Sequence, residues 1–264
     1  MQIETGTRAF VTGASRGIGQ ALAGALAARG ATVGLAARTT PDLERVAAEL
    51  PGTHHVLVCD VALEASVRSA VEDFVAVAGG LDLLVVNAGV ADYEPVAEQE
   101  TATIERMTKV NWLGTVYTVK AALPYLLSAG RGHIVVMSSG AGLRALPGAA
   151  VYSATKAAQR AFAAALRHEL AGTGVSLTTV FPGEVATSLH DHAQHLPAWY
   201  RGGDQAASPD ELAARVVSAV ERDRRHLYFR RSVRGMRVLE GISPRLADAV
   251  LRRMRGESAA PRRD

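Results

Sequence analysis

Cysteine is nearly absent from this sequence: Cys59 stands alone among 264 residues, which excludes an internal disulfide framework. Long apolar runs are missing too. No stretch approaches the roughly 20 residues needed to cross a bilayer, so a transmembrane helix is excluded. The opening Met1-Gln2-Ile3-Glu4 has neither the basic nor the apolar block of a secretory leader. These absences lead to the expectation of a cytoplasmic protein. Proline is sparse at 10 residues, charged residues make up 21% and hydrophobic residues 48%, a balance that can bury a sizeable core. One domain over 1–241 is expected, followed by a basic amphipathic helix and tail over 242–264.

Net charge is small, +3, but unevenly placed. From Arg222 to Asp264 thirteen arginines face five acids, a net +8, so residues 1–221 carry −5. Whatever meets the basic end is therefore a separate question from whatever the rest of the chain binds.

What is present is alternation. Apolar, β-branched runs at 8–12, 32–36, 55–59, 81–87, 133–138 and 175–181 are separated by helical patterns at 17–29, 41–50, 64–78, 101–128 and 151–171, the fourth of them interrupted near Trp112. Strands with continuous apolar faces, alternating with helices, predict a parallel sheet covered on both sides. The fold class is α/β: a doubly wound, mainly parallel Rossmann-type sheet in a single domain. Ser208-Pro209-Asp210-Glu211 reads as a cap and first turn of a further helix to about Glu221, and 227–229 as a last strand.

The first strand runs into Thr12-Gly13-Ala14-Ser15-Arg16-Gly17-Ile18-Gly19. Glycines where a strand turns into a helix let the backbone approach a ligand, and the free amides at the helix N-terminus favour a phosphate. In such folds an acid ending the second strand would bind the ribose 2′-hydroxyl of NAD. Here that strand ends in Ala36-Ala37-Arg38, with no acid before Asp42. Arg38, joined by Arg16, suits a 2′-phosphate, which predicts NADP(H); the other reading is two solvated arginines. Asp60 and Val61 follow the third strand, where Asp60 can accept from an adenine amino group or cap the next helix. Asn87-Ala88-Gly89 follows the fourth strand, where Asn87 can tie two strand ends together.

The chemistry is expected downstream. Tyr152 and Lys156 lie four apart on a predicted helix and so share a face. An ammonium beside a phenol favours phenolate and lowers a pKa normally near about 10, making Tyr152 a proton donor or acceptor. Ser139, at a strand's carboxyl end, can hydrogen-bond a reacting oxygen.

These motifs, with Asn111 and Pro182-Gly183-Glu184-Val185-Ala186-Thr187, resemble those of the short-chain dehydrogenase/reductase family over residues 7 to about 190. The resemblance implies a catalytic tetrad of Asn111, Ser139, Tyr152 and Lys156. Tyr152 would be the general acid in reduction and Ser139 would orient the substrate oxygen. Lys156 would bind the nicotinamide ribose, and Asn111 would hold a water for proton relay. Gly183 and Thr187 would lie beside the nicotinamide. It also implies a homodimer or homotetramer, with helix 151–171 able to approach a second copy closely. Val86 stands where the family often has an Asn. The implied reaction is hydride transfer between a nicotinamide and a ketone or secondary alcohol, with no metal required. A 3-oxoacyl thioester reductase and a non-catalytic nucleotide-sensing regulator or scaffold are the alternatives.

Substrate choice is expected to reside in loops 90–95, 140–150 and 188–207. There Leu143, Leu146, Leu189, Leu196, Trp199 and Tyr200 suggest an apolar lid. His190, His192 and His195 with Asp191 lack a fourth ligand and a fixed geometry, so metal binding is not expected. In the last helix, begun by Ser243-Pro244, Leu246, Val250, Leu251 and Met254 share an apolar side while Arg245, Arg252, Arg253 and Arg255 carry charge. Such a segment can pack on its own domain, dock on a partner, or lie on an anionic membrane. The basic residues form no nucleic-acid-binding module, and no nucleic-acid partner is expected.

Overall fold

The computed structural model describes residues 1–190 and 206–254. Their apolar runs form strands β1 (Arg8–Thr12), β2 (Thr32–Ala37), β3 (His55–Val58), β4 (Leu83–Val86), β5 (Gly132–Met137), β6 (Val175–Phe181) and β7 (His226–Tyr228). The helices are α1 (Gly17–Ala27), α2 (Thr40–Glu49), α3 (Glu64–Ala78), α4 (Thr101–Met107), α5 (Gly114–Ala129), α6 (Ala150–Glu169), α7 (Pro209–Glu221), α8 (Arg231–Ile242) and α9 (Pro244–Met254). Asp191, His192, His195, Leu196, Trp199, Tyr200 and Arg255 lie outside the described residues.

All strand pairs are parallel, in the order β3-β2-β1-β4-β5-β6-β7. The strands read as unbroken apolar runs because both faces are covered, and successive residues feed alternate layers. Ala9 and Val11 pack with Leu22 and Leu26 of α1, Leu43 of α2 and Val216 of α7. Phe10, between them, joins Val71 and Phe74 of α3, Leu126 of α5 and Leu166 of α6 on the other face. The expected doubly wound sheet is the one observed.

Chain direction around the sheet reverses between β1 and β4, which share only the pairs Ala9–Leu83, Phe10–Leu84 and Val11–Val85. Their amino ends are clamped by the Arg8 guanidinium, which donates to both Asp82 oxygens at 2.7 and 2.9 Å. Burial works to raise the Asp82 carboxyl, but hydrogen bonds from the Arg8 side chain and amide outweigh it and hold the group below its ordinary value.

The expected cap before α7 is present, with Ser208 Oγ accepting from the Asp210 amide at 3.1 Å and Pro209 opening the helix. The interruption near Trp112 is a π-helical turn, Thr108–Leu113, joining α4 to α5. Helix α8 was not expected from the sequence. Arginines and two glycines blur the apolar period of residues 231–242, and the helix is held through buried Val233, which packs with Leu143 and Phe181. Among the described residues no helix is long and apolar enough to cross a membrane.

His133 of β5 is fully buried. The Thr178 hydroxyl donates to the Arg224 carbonyl at 2.6 Å, so it accepts from His133 Nε2–H at 2.8 Å. That arrangement leaves Nδ1 as the unprotonated nitrogen, 3.9 Å from an Asp223 oxygen. Burial holds the His133 pKa down to about 4, against a raising influence from exposed Asp223. Because the folded-state pKa lies below the unfolded value near 6.5, stability is present above pH 6.5 and is lost as pH falls toward 4. The loss expected from this group by pH 4 is on the order of 3 kcal/mol. Thermal melts across that range are expected to show a shallower pH slope in His133→Asn than in the wild type.

Candidate active site

Because the strands are parallel, their carboxyl ends share one edge, and the crevice opens beside the β1–β4 reversal. There Thr12 Oγ1 accepts from the amides of Asn87 and Ala88 at 2.9 and 3.1 Å. Asn87 Nδ2 donates back to the Thr12 carbonyl at 3.0 Å, so Asn87 ties two strand ends. Over this edge lies a cavity of about 1130 Å³. Every catalytic or cofactor residue expected from the sequence lines it except Gly19 and Asn111, which stand behind its wall.

One end of the cavity is the glycine turn. Gly13 has φ +67°, and a Cβ there would come within 2.9 Å of Ala88 Cα. A Cβ on Gly19 would fall onto the Gly13 carbonyl oxygen. The residue before α1, Arg16, is extended and makes no side-chain cap, and no acid occupies the helix's first turn. The first amides of α1 thus remain available to an anion. Backbone bare of Cβ, free amides and Arg16, Arg38 and Thr39 at the rim together fit a dinucleotide. Cys59 also lines this end, but burial pushes its thiol up to about 11, helped by Asp60, and so keeps it protonated and unreactive. Asp60 Oδ1 accepts from the Ala62 amide at 3.0 Å, a turn role compatible with its place in the cavity wall.

At the other end α6 is pinned to the end of β5. Lys156 Nζ donates to the Met137 carbonyl at 3.1 Å, and Ser138 Oγ donates to the Lys156 carbonyl at 2.8 Å. Tyr152 and Lys156 share the buried face of α6, with Nζ 5.8 Å from the phenol ring centroid. Tyr152 is hydrogen-bonded to Ser139 and meets Tyr93 edge-on at 5.8 Å. The expected acidification of Tyr152 by Lys156 is not seen. Burial raises the phenol above its ordinary value, the Ser139 hydrogen bond being what opposes it, and burial lowers Lys156 to about 8. Removal from water penalises the charged form of each group.

Asn111 is fully buried in the π-helical turn. Its Oδ1 accepts from the Val90 amide at 2.8 Å, and Nδ2 donates to the Val90 carbonyl at 2.9 Å and to Thr155 Oγ1 at 3.1 Å. The Asn111 carbonyl accepts from Thr115 Oγ1 at 2.7 Å and from Gln159 Nε2 at 2.9 Å. Sequence reasoning passed over Gln159, although it lies three residues beyond Lys156 on the same helix face.

One expectation about the apolar lid changes. Leu146 and Leu189 line the cavity, whereas Leu143 turns away to pack with Phe181 and Val233. Arg144, not singled out in the sequence, lines the cavity and pairs with Glu240 of α8 at 2.6 Å and with Asp248 of α9. Nothing local in the sequence signals a contact between residues about a hundred positions apart. Arg230, Ser232 and Val233 complete that wall. Arg230 holds φ +84°, uncommon for a side-chain-bearing residue.

The Lys156 value has a stability consequence. A folded-state pKa near 8, below the ordinary 10.5, means the unfolded chain binds more protons between those values, so stability rises with pH across that window. Thermal melts are expected to show the wild type gaining on Lys156→Met as pH rises from 8 toward 10.

Residues 7–196 match the family described as short chain dehydrogenase. Over 227 residues the chain is 37% identical to the glycine betaine reductase ATRR of Emericella nidulans, covering 82% of this chain but only 18% of that much longer protein. An alcohol dehydrogenase from Thermococcus sibiricus, solved with 5-hydroxy-NADP, superposes with TM-score 0.73 at 30% identity, covering 84% of this chain and 94% of that one. A 3-ketoacyl-(acyl-carrier-protein) reductase from Brucella melitensis, solved with NADH, superposes with TM-score 0.78 at 26% identity, covering 85% and 96%. With the fold, the glycine turn and this match in agreement, the chain belongs to the short-chain dehydrogenase/reductase family of oxidoreductases.

Proposed function

We propose that this oxidoreductase uses NADP(H) to interconvert an apolar ketone and its secondary alcohol, with Tyr152 moving the proton. The observation that carries the reading is one cavity in which Tyr152, hydrogen-bonded to Ser139 and backed by Lys156, faces the same space as the glycine turn. The bound cofactor would supply or accept a hydride at the nicotinamide.

Gly13, Ser15, Gly17, Ile18 and Gly19 would hold the pyrophosphate, and Asp60 and Val61 the adenine. Arg16 and Arg38 would take the 2′-phosphate. Asn87, Ala88 and Gly89 would flank the ribose held by Tyr152 and Lys156, while Pro182, Gly183, Val185 and Thr187 would bound the nicotinamide half. The Thermococcus sibiricus relative solved with an NADP derivative supports this cofactor choice alongside the two arginines.

Tyr152 is held protonated by burial, which suits it to give its proton to a carbonyl oxygen that Ser139 orients. Lys156, lowered to about 8, sits close enough to neutrality to return a proton. A Cβ on Gly89 would lie 3.3 Å from Asn111 Oδ1 and 3.4 Å from Lys156 Nζ, so glycine there keeps clear the space between the two groups that a relay would use. Close approach of a second copy along exposed Ala154, Ala161 and Ala165 of α6 is the proposed route to a homodimer or homotetramer. The likeness to the Brucella melitensis reductase favours a second reading, reduction of a 3-oxoacyl thioester.

NADPH consumption measured over a panel of free ketones and 3-oxoacyl thioesters tests the reading. Turnover is expected with apolar ketones and is expected to fall a hundredfold or more in Tyr152→Phe, on the order of the contribution of a positioned acid. Turnover confined to thioesters would select the second reading, and cofactor binding without any turnover would select a nucleotide sensor. Separately, Arg38→Asp is expected to raise the KM for NADPH by about tenfold to a hundredfold, as for loss of a charge-assisted contact, and to leave that for NADH nearly unchanged. Equal losses for the two cofactors would overturn the NADP assignment.

A further inference from the structure

We infer that the outward face of α8 and α9 docks on an anionic phospholipid bilayer. Of the apolar side expected for α9, Leu246 is 51% exposed, whereas Ala247 beside it is fully buried. In α8 Val238 is 55% and Ile242 75% exposed, and Arg234, Gly235, Val238, Leu239 and Ile242 line a shallow apolar depression. Arg234 and Arg245 stand exposed beside these aliphatic side chains.

The sign of the charge on this face points to its occupant. Glu240 and Asp248 are the only acids between Arg231 and Met254, and both are engaged by Arg144 at the cavity wall. The outward face is thereby left with cations and aliphatics, at the end of a chain segment carrying a net +8 from Arg222 to Asp264. Apolar side chains flanked by arginines on short helices are the pattern that lies in a headgroup layer, aliphatics toward the acyl chains and guanidinium groups on lipid phosphates. A second copy docking face to face would set the exposed arginines of one copy against those of the other, a like-charge contact. A nucleic acid would satisfy the arginines but leave Val238, Ile242 and Leu246 against a polar backbone. Helix α8 also contributes Ser232 and Val233 to the cavity, so docking would bring the cavity rim to the interface. That consequence rests on the proposed oxidoreductase reading, whereas the docking itself does not.

Co-sedimentation of the full chain with vesicles tests the inference without reference to activity. Binding is expected to vesicles containing phosphatidylglycerol, to be absent with pure phosphatidylcholine, and to weaken with salt. Neutralising one contact in Arg245→Gln is expected to lower partitioning about fivefold. Ile242→Asp is expected to abolish binding, and Val238→Asp to do the same should the first variant fail to fold by circular dichroism. No binding to phosphatidylglycerol at low salt, equal binding to phosphatidylcholine, or binding that the folded variants leave unchanged would each overturn the inference. Self-association lost in Ile242→Asp without lipid binding would also overturn it and assign the face to a second copy.

Discussion

The hydroxyl of Thr12 sits where the structure has least redundancy. It accepts two amides from the chain leaving β4, across a strand pair only three residues long in register. Asn87 answers from the other side, and Arg8 with Asp82 closes the opposite end of the pair. A parallel sheet wound in two directions must separate its covering loops at the reversal point. These hydrogen bonds let that separation become a cavity without letting the strands part. The glycine turn, the Asn87-Ala88-Gly89 segment and α6 are all placed relative to this clamp.

Within the cavity the governing cost is dehydration. Tyr152 and Lys156 are both almost wholly buried, and their pKa values move apart, the phenol up and the ammonium down. A surface pair would show the reverse, each charge stabilising the other. Burial instead favours the neutral form of each, so the phenol holds its proton more firmly and the ammonium less firmly than in water. Hydrogen bonds from Lys156 to Met137 and between Ser139 and Tyr152 hold the two side chains in place. Asn111, bonded on both sides to Val90 and braced by Gln159 and Thr115, makes the wall behind them rigid.

The carboxyl-terminal helices obey a different economy of charge. Arg144, only 16% exposed in its side chain, gathers the acids of α8 and α9 against the cavity, and Arg234 and Arg245 are left exposed. One largely enclosed guanidinium thereby does two things, lining the cavity wall and engaging the only acids of these two helices. The strained backbone at Arg230, at the turn between β7 and α8, lies at the junction of these two roles.

The β–α alternation, the glycine turn, the cap before α7 and the Tyr152–Lys156 pair were legible in the amino acids because each depends on local spacing: two-residue and 3.6-residue periods, a turn that excludes Cβ, and neighbours one helical turn apart. Helix α8 was not legible, since its arginines and glycines mask the period and its hold on the domain is the contact of Val233 with Leu143 and Phe181. Leu143 was expected in the lid for the same reason in reverse, its apolar character being visible and its direction not. The sense of the pKa shifts, the bracing of Asn111 by Gln159, the capture of Glu240 and Asp248 by Arg144, and the outward turn of Leu246 were decided only when distant segments came together. Burial and long-range contact are properties of the packed chain, whereas helix and strand periods, glycine geometry and one-turn neighbours are written into the order of the residues.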